Sequence, residues 1–167
     1  MTHSTISSRK LDHIQLAFEA QLSEVDHRFY YEPMLAAHPS LDVIPKVEVA
    51  GAEMLIPLWI SSMTGGAELA GKINVLLAEA CKNHGLGMGL GSCRPVLENS
   101  AYSKDFEIRK HMGNQPLFAN LGIAQIEELL AVNQMQRLID MVNRLEAHGL
   151  IIHVNPLQEW MQPEGDR

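Results

Sequence analysis

Four short apolar segments, 56–62 (IPLWISS), 86–90 (LGMGL), 116–121 (PLFANL) and 150–155 (LIIHVN), recur at intervals of about 30 residues. That spacing constrains the fold more than any other feature of the chain. The segments are apolar without a polar alternation, which is the pattern of strands covered on both faces. Between them lie apolar stripes at offsets of three and four: Leu69, Ile73, Leu76, Leu77 and Ala80, then Met135, Leu138, Ile139, Val142 and Leu145. Each stripe predicts a helix with one buried face. Both stop near a glycine, Gly85 and Gly149, where a helix C-terminus needs a residue tolerant of positive φ. The histidine before each glycine, His84 or His148, suits the negative end of a helix dipole. A strand followed by a helix, repeated about every 30 residues, is the unit of a parallel α/β architecture. The expectation is a set of βα units of a barrel.

Composition bounds this reading. A length of 167 residues, 46% apolar and 20% charged, fits a single folded domain over residues 1–167. An eight-unit barrel takes roughly 200 to 250 residues. The last expected strand is followed by about a dozen residues with no helical pattern. The chain is therefore expected to cover about the first half of a barrel, with strand edges that call for a second copy or a complementing polypeptide. With 13 basic against 20 acidic residues the formal charge is -7, the wrong sign for a partner of phosphate backbones, so no nucleic acid is expected. No apolar run approaches the roughly 18 residues that span a bilayer, and the polar opening MTHSTISSRK lacks the apolar core of a secretory signal. A cytoplasmic protein without a membrane partner is the expectation. The two cysteines, Cys81 and Cys93, are too few for a disulfide framework and are expected to be reduced, inert packing residues.

Four clusters could carry chemistry. Arg9, Lys10 and His13 follow Ser7 and Ser8, either of which could cap a helix. Two cations and an imidazole near free helix amides suit a phosphate or diphosphate, although a solvated helix start has the same composition. Ser61-Ser62-Met63-Thr64-Gly65-Gly66 leaves the first strand, and its hydroxyls and glycines would let backbone amides approach a planar ring or a phosphate. It is neither a Walker loop nor a three-glycine dinucleotide fingerprint, and an ordinary strand-to-helix turn explains it as well. In Gly85 to Arg94 (GLGMGLGSCR) the alternating glycines point to close backbone approach or to tight packing, and Ser92 and Arg94 sit on the following loop. In His153-Val154-Asn155-Pro156-Leu157-Gln158-Glu159, strand geometry sends His153 and Asn155 to one side and Ile152 and Val154 to the other. The apolar side would meet helices, and Glu159 in the loop above would suit magnesium, a hard cation, or stand as an exposed carboxylate.

Taken in order, Arg9-Lys10-Leu11-Asp12-His13, Ile60 to Gly66, Gly87 to Arg94, Ala119-Asn120-Leu121-Gly122 and His153 to Gly165 resemble type 2 isopentenyl diphosphate isomerase. The resemblance implies a TIM-type (β/α)8 barrel, commonly octameric, of which this chain would form the first half. It implies FMN and Mg2+ as cofactors, NADPH as the flavin reductant, and a small diphosphate substrate. Carried over position by position, Arg9, Lys10, His13, Ser92 and Arg94 would hold the diphosphate. Ser62, Met63, Thr64, Ser92 and Asn120 would line the flavin. His153, Asn155 and Gln158 would face the substrate, His153 and Gln158 as catalytic groups, and Glu159 would bind the metal. Cys93 departs from the pattern, standing where the family usually has glutamine. The expected activity is interconversion of isopentenyl and dimethylallyl diphosphate by a flavin-assisted proton shift in isoprenoid biosynthesis. The competing readings are a non-catalytic remnant that keeps the motifs, and an FMN-dependent oxidoreductase. The basic pair Arg9-Lys10 and the pair His153, Asn155 argue against the latter.

Overall fold

The computed structural model describes residues 11, 14–19, 34, 44–63 and 68–162. Residues 14–19 form a helical segment, α1. A hairpin follows, β1 (Val47–Val49) and β2 (Ala52–Met54), and then β3 (Trp59–Ile60), α2 (Glu68–His84) and β4 (Gly87–Gly89). The chain continues through α3 (Arg94–Glu98), a 3-10 turn (Ser100–Asp105) and α4 (Arg109–Met112). It ends in β5 (Leu117–Gly122), α5 (Ile123–Ala131), α6 (Met135–Arg144), β6 (Gly149–His153) and α7 (Pro156–Met161).

The hairpin is local. Ala50 and Gly51 carry consecutive positive φ values of 52° and 79°, the backbone of a tight two-residue turn whose twist matches its strands. It pairs Val47 with Met54 and Val49 with Ala52, placing Ala52 and Met54 in the interior. The remaining strands form one sheet in the order β3-β4-β5-β6, every pair parallel. The β5–β6 ladder is the longest, from Phe118 opposite Gly149 to Gly122 opposite His153.

Helices cover one face of this sheet. Met88 and Leu90 from the β4 segment and Leu117 and Ala119 from β5 are buried against Ala78 and Cys81 of α2, Phe106, Ile108, Met112 of α4, and Met141 and Leu145 at the end of α6. Leu121 continues this layer against Ile126 and Leu129 of α5 and Leu138 of α6. Each of the larger side chains, Leu, Ile, Met or Phe, stabilises the fold by roughly 1.5–3 kcal/mol relative to exposure. The α2 residues that are buried, Ala70, Asn74, Ala78 and Cys81, follow offsets of four and three but lie one position round from the expected stripe, of which Leu69 and Leu76 are exposed. Asn74, polar within this buried row, donates to the carbonyl of Asp105 at 3.1 Å. Ile14 of α1 packs on Ala70 and Ile73.

The barrel expectation is corrected by this arrangement. The described residues form an open four-stranded parallel sheet and a separate two-stranded antiparallel hairpin, with β3 and β6 as edges. Four strands of two to six residues do not close on themselves, since closure of parallel strands takes about eight, tilted and staggered.

Three smaller expectations also change. Gly85 does end α2, with φ 68° and the Leu86 amide reaching back to the Cys81 carbonyl at 3.0 Å. Gly149 does not end α6; it opens β6, and Glu146 takes the left-handed position at φ 48°, with the Ala147 amide bonded to the Val142 carbonyl at 3.1 Å. What Gly149 provides is space, because a Cβ there would stand 2.9 Å from the Phe118 ring. The segment after the last strand is helical over Pro156–Met161. Finally, Ile152 and Val154, at the end of the edge strand β6 and just beyond it, are exposed and do not meet helices as expected.

Candidate functional site

In a parallel sheet all strand C-termini lie along one edge, and ligand sites of open α/β sheets gather there. Ser62 follows β3, Ser92 and Arg94 follow β4, Asn120 lies in the second half of β5, and His153 closes β6. Asn155 and Glu159 come next, on the approach to α7 and within it. The topology thus carries residues far apart in sequence to the same edge.

Two contacts define the geometry. The Asn120 side-chain amide donates to the Ser62 hydroxyl at 3.1 Å, joining residues 58 positions apart. Asn120 is buried, and its carbonyl accepts from the Cys93 amide at 2.8 Å, so this one residue ties the end of β3 to the loop after β4. The second contact is Asn155 Nδ2 to Glu159 Oε1, 2.8 Å, reinforced by the Glu159 amide on the Asn155 carbonyl at 3.1 Å. It fixes the carboxylate at the start of α7, near the positive end of the helix.

Ser92 is half-buried, and its hydroxyl accepts from the Arg94 amide at 3.4 Å. Arg94 opens α3 and donates through Nε to Glu98 at 2.8 Å, an i,i+4 pair with both side chains well exposed. Met63 and His153 are exposed. Arg9, Lys10, His13 and Thr64 lie outside the described residues. Gln158 lies on α7, but its side chain is likewise outside the description.

The face of the sheet away from the helices has a different character. Trp59 and Phe118 meet edge to face, ring centroids 5.4 Å apart. The glycines on this face do permit close approach, but by the chain's own side chains. A Cβ at Gly87 would stand 2.1 Å from the Trp59 ring, and one at Gly89 would meet Ser62 Oγ at 2.6 Å and Ile151 Cδ1 at 2.8 Å. The aromatic pair and Ile151 therefore form an apolar floor beside the Ser62–Asn120 couple. Sequence reading passed over Trp59 and Phe118 as strand residues. Their spacing from Gly87 and Gly149 across paired strands was the available signal.

Among the described residues no group of three or more His, Cys, Asp or Glu side chains converges as a metal cage. Cys81 and Cys93 are fully buried; burial pushes the Cys81 thiol up to about 11, far from a reactive thiolate. No described helix is long and apolar enough to cross a membrane. Sequence reading also missed Arg109 and its contact with His148, at the opposite edge of the sheet with Nη2 and Nδ1 3.1 Å apart.

No family model matches the chain. Curated proteins do. An isopentenyl-diphosphate delta-isomerase of Cronobacter sakazakii is 40% identical over 174 residues, covering all of this chain and 49% of that protein. One from Synechocystis sp. is 38% identical over 168 residues, covering 95% of this chain and 46% of its own length. One from Metallosphaera sedula is 32% identical over 168 residues, covering 97% and 45%. The chain spans about half the length of the curated relatives it matches. Along nearly all of its own length it is homologous to proteins named isopentenyl-diphosphate delta-isomerase.

Proposed function

We propose that this chain serves an isopentenyl-diphosphate delta-isomerase of the flavin-dependent type, interconverting isopentenyl and dimethylallyl diphosphate. The observation that carries the reading is the similarity itself, 32–40% identity to proteins of that name over at least 95% of the chain. The gathering of Ser62, Ser92, Arg94, Asn120, His153, Asn155 and Glu159 at one sheet edge supports it. In the forward reaction the substrate gains a proton at its terminal alkene carbon and loses one from the allylic methylene, with no net oxidation. Protonation of the terminal carbon leaves a tertiary cation beside the methylene, so the demanding step is delivery of a proton to a weakly basic alkene rather than removal of the methylene proton.

FMN, reduced by NADPH, would supply the proton-transferring ring that the side chains lack. The residues present suit it: the Ser62 hydroxyl and Asn120 amide offer polar groups for a ring edge, beside the aromatic floor of Trp59 and Phe118. Met63 and Ser92, with Thr64 assigned from the sequence, would complete its lining. Arg94 and Ser92 would bind the diphosphate, joined by Arg9, Lys10 and His13. Glu159, oriented by Asn155, would hold magnesium. A single carboxylate fits that ion, which commonly takes one or two protein carboxylates and completes its shell with phosphate oxygens and water. His153 and Gln158 would face the reacting carbons. A small-molecule diphosphate is thus the partner, with self-association or a complementing polypeptide covering the open sheet edges.

The test is a titration of the chain with FMN in magnesium buffer, followed by an anaerobic isomerase assay with reduced flavin. Saturable binding at micromolar flavin and turnover without net consumption of reductant are the expected results. Absence of binding up to millimolar flavin would leave the motifs in a chain that is silent by itself and would sink the flavin assignment.

A further inference from the structure

The residues outside the candidate site include one densely hydrogen-bonded charged cluster, at the N-terminal edge of the sheet. Arg109, on α4, spends its guanidinium on backbone carbonyls: Nε and Nη2 reach Glu146 at 3.0 and 2.8 Å, and Nη1 reaches Gly113 at 2.9 Å and Gln115 at 2.8 Å. Nη2 also lies 3.1 Å from Nδ1 of His148. The same ring nitrogen is 3.2 Å from the amide of Leu117, the first residue of β5. In return the His148 amide donates to the Leu117 carbonyl at 2.8 Å. His148 therefore satisfies both backbone groups of Leu117 just below the first paired rung of the β5–β6 ladder, Phe118 opposite Gly149.

Arginine can only donate, and so can a backbone amide. Both contacts need the lone pair of Nδ1, which fixes a neutral ring with its hydrogen on Nε2. A proton added to Nδ1 would face two donors, one of them a permanent cation, and would leave the Leu117 amide without its acceptor. We infer that His148 is a proton-operated latch on the seam between β5 and β6, closed while its ring is neutral and released on protonation. The charged groups of the described residues bearing on it are Arg109 from α4 and, acting on Arg109, Glu146 beyond α6. Burial, then the charge of Arg109, holds the ring below its ordinary value of 6.5. The sign follows: a histidine whose folded value is depressed contributes stability in full above 6.5, and that contribution is lost as pH falls from there through the folded value.

The location gives the latch its consequence. Among the described residues β6 is an edge strand paired with β5 alone, and it runs on into His153 and Asn155. Loosening its first rung weakens the attachment of the whole strand. The inference stands apart from the isomerase reading, because it invokes no substrate or cofactor.

The experiment compares the chain with His148→Asn, whose Oδ1 can accept near the position of Nδ1 and does not titrate. Imidazole resonances and amide hydrogen exchange are followed by NMR from pH 7.5 to 5. Expected are a His148 ring titrating below 6.5 and a Leu117 amide that, corrected for intrinsic exchange, loses protection toward the limit of about tenfold per pH unit set by one proton. In His148→Asn that loss is absent. A ring titrating at or above 6.5, or identical pH dependence in the two chains, overturns the proposal. If the variant does not fold, the ring titration and Leu117 exchange of the unaltered chain decide the matter.

Discussion

The two faces of the four-stranded sheet are built from the same strands and have opposite compositions. On the helix side Met88, Leu90, Leu117, Ala119 and Leu121 are buried and interlock with α2, α4, α5 and α6. On the other side the same strands present Trp59, Gly87, Gly89, Phe118, Asn120, Ile151 and His153. On the covered face these buried strand side chains are all apolar. Among the described residues the opposite face combines glycines, one aromatic pair and a buried amide, and it is the face that meets the candidate site. Close packing against the helices resides on one side of a strand and the candidate site on the other, one residue apart.

That contrast can be broken by substitution. Phe106, fully buried behind the covered face, should show the largest effect: Phe106→Ala is expected to cost about 3–5 kcal/mol, read as a lowered urea midpoint. A loss under about 1 kcal/mol would mean that the helix layer is not the main support of the sheet. Gly87→Ala forces the Trp59 ring away from the sheet, with an expected cost of about 1–3 kcal/mol and a red shift of tryptophan emission. Unchanged emission would show that the floor is not packed as described. Asn120→Ala removes the bond to Ser62 and should cost about 1 kcal/mol in stability while weakening FMN binding several-fold. Equal losses of stability with no change in flavin affinity would reduce Asn120 to a structural role. Glu98→Ala lies at the bottom of the scale, because its pair with Arg94 is exposed on both sides, and less than about 0.5 kcal/mol is expected. A larger loss would make that surface pair more than a solvent contact.

Much of the element order was legible. The segments at 86–90, 116–121 and 150–155 emerge as β4, β5 and β6 with ends moved by one or two residues, and the apolar stripes emerge as α2 and α6. Only Trp59–Ile60 of the first expected strand is paired, because Pro57 lacks the amide that a ladder needs. The hairpin went unread although Val47, Val49, Ala52 and Met54 alternate around Ala50-Gly51, since three-residue strands give a period of two little room to appear. The barrel was inferred from the 30-residue strand–helix spacing and again from the resemblance, and neither fixes closure. Local pattern specifies strands and their spacing, whereas which edges pair depends on contacts outside the pattern.

The candidate site was legible in part. Ser62 and Asn120 were named separately, and the structure adds that they touch. His148 was read as a partner of a helix dipole, but Glu146 turns the chain first, and the ring ends beside Leu117. No sequence pattern marks that destination, because it depends on a strand 31 residues earlier.

The order β3-β4-β5-β6 is also the order in which the chain is synthesised. Each strand pairs with its predecessor across one crossover of about 30 residues, so no pairing waits for a distant segment. The sheet can therefore grow by accretion, each new strand arriving at an edge already formed, and its slowest search is for the nearest neighbour.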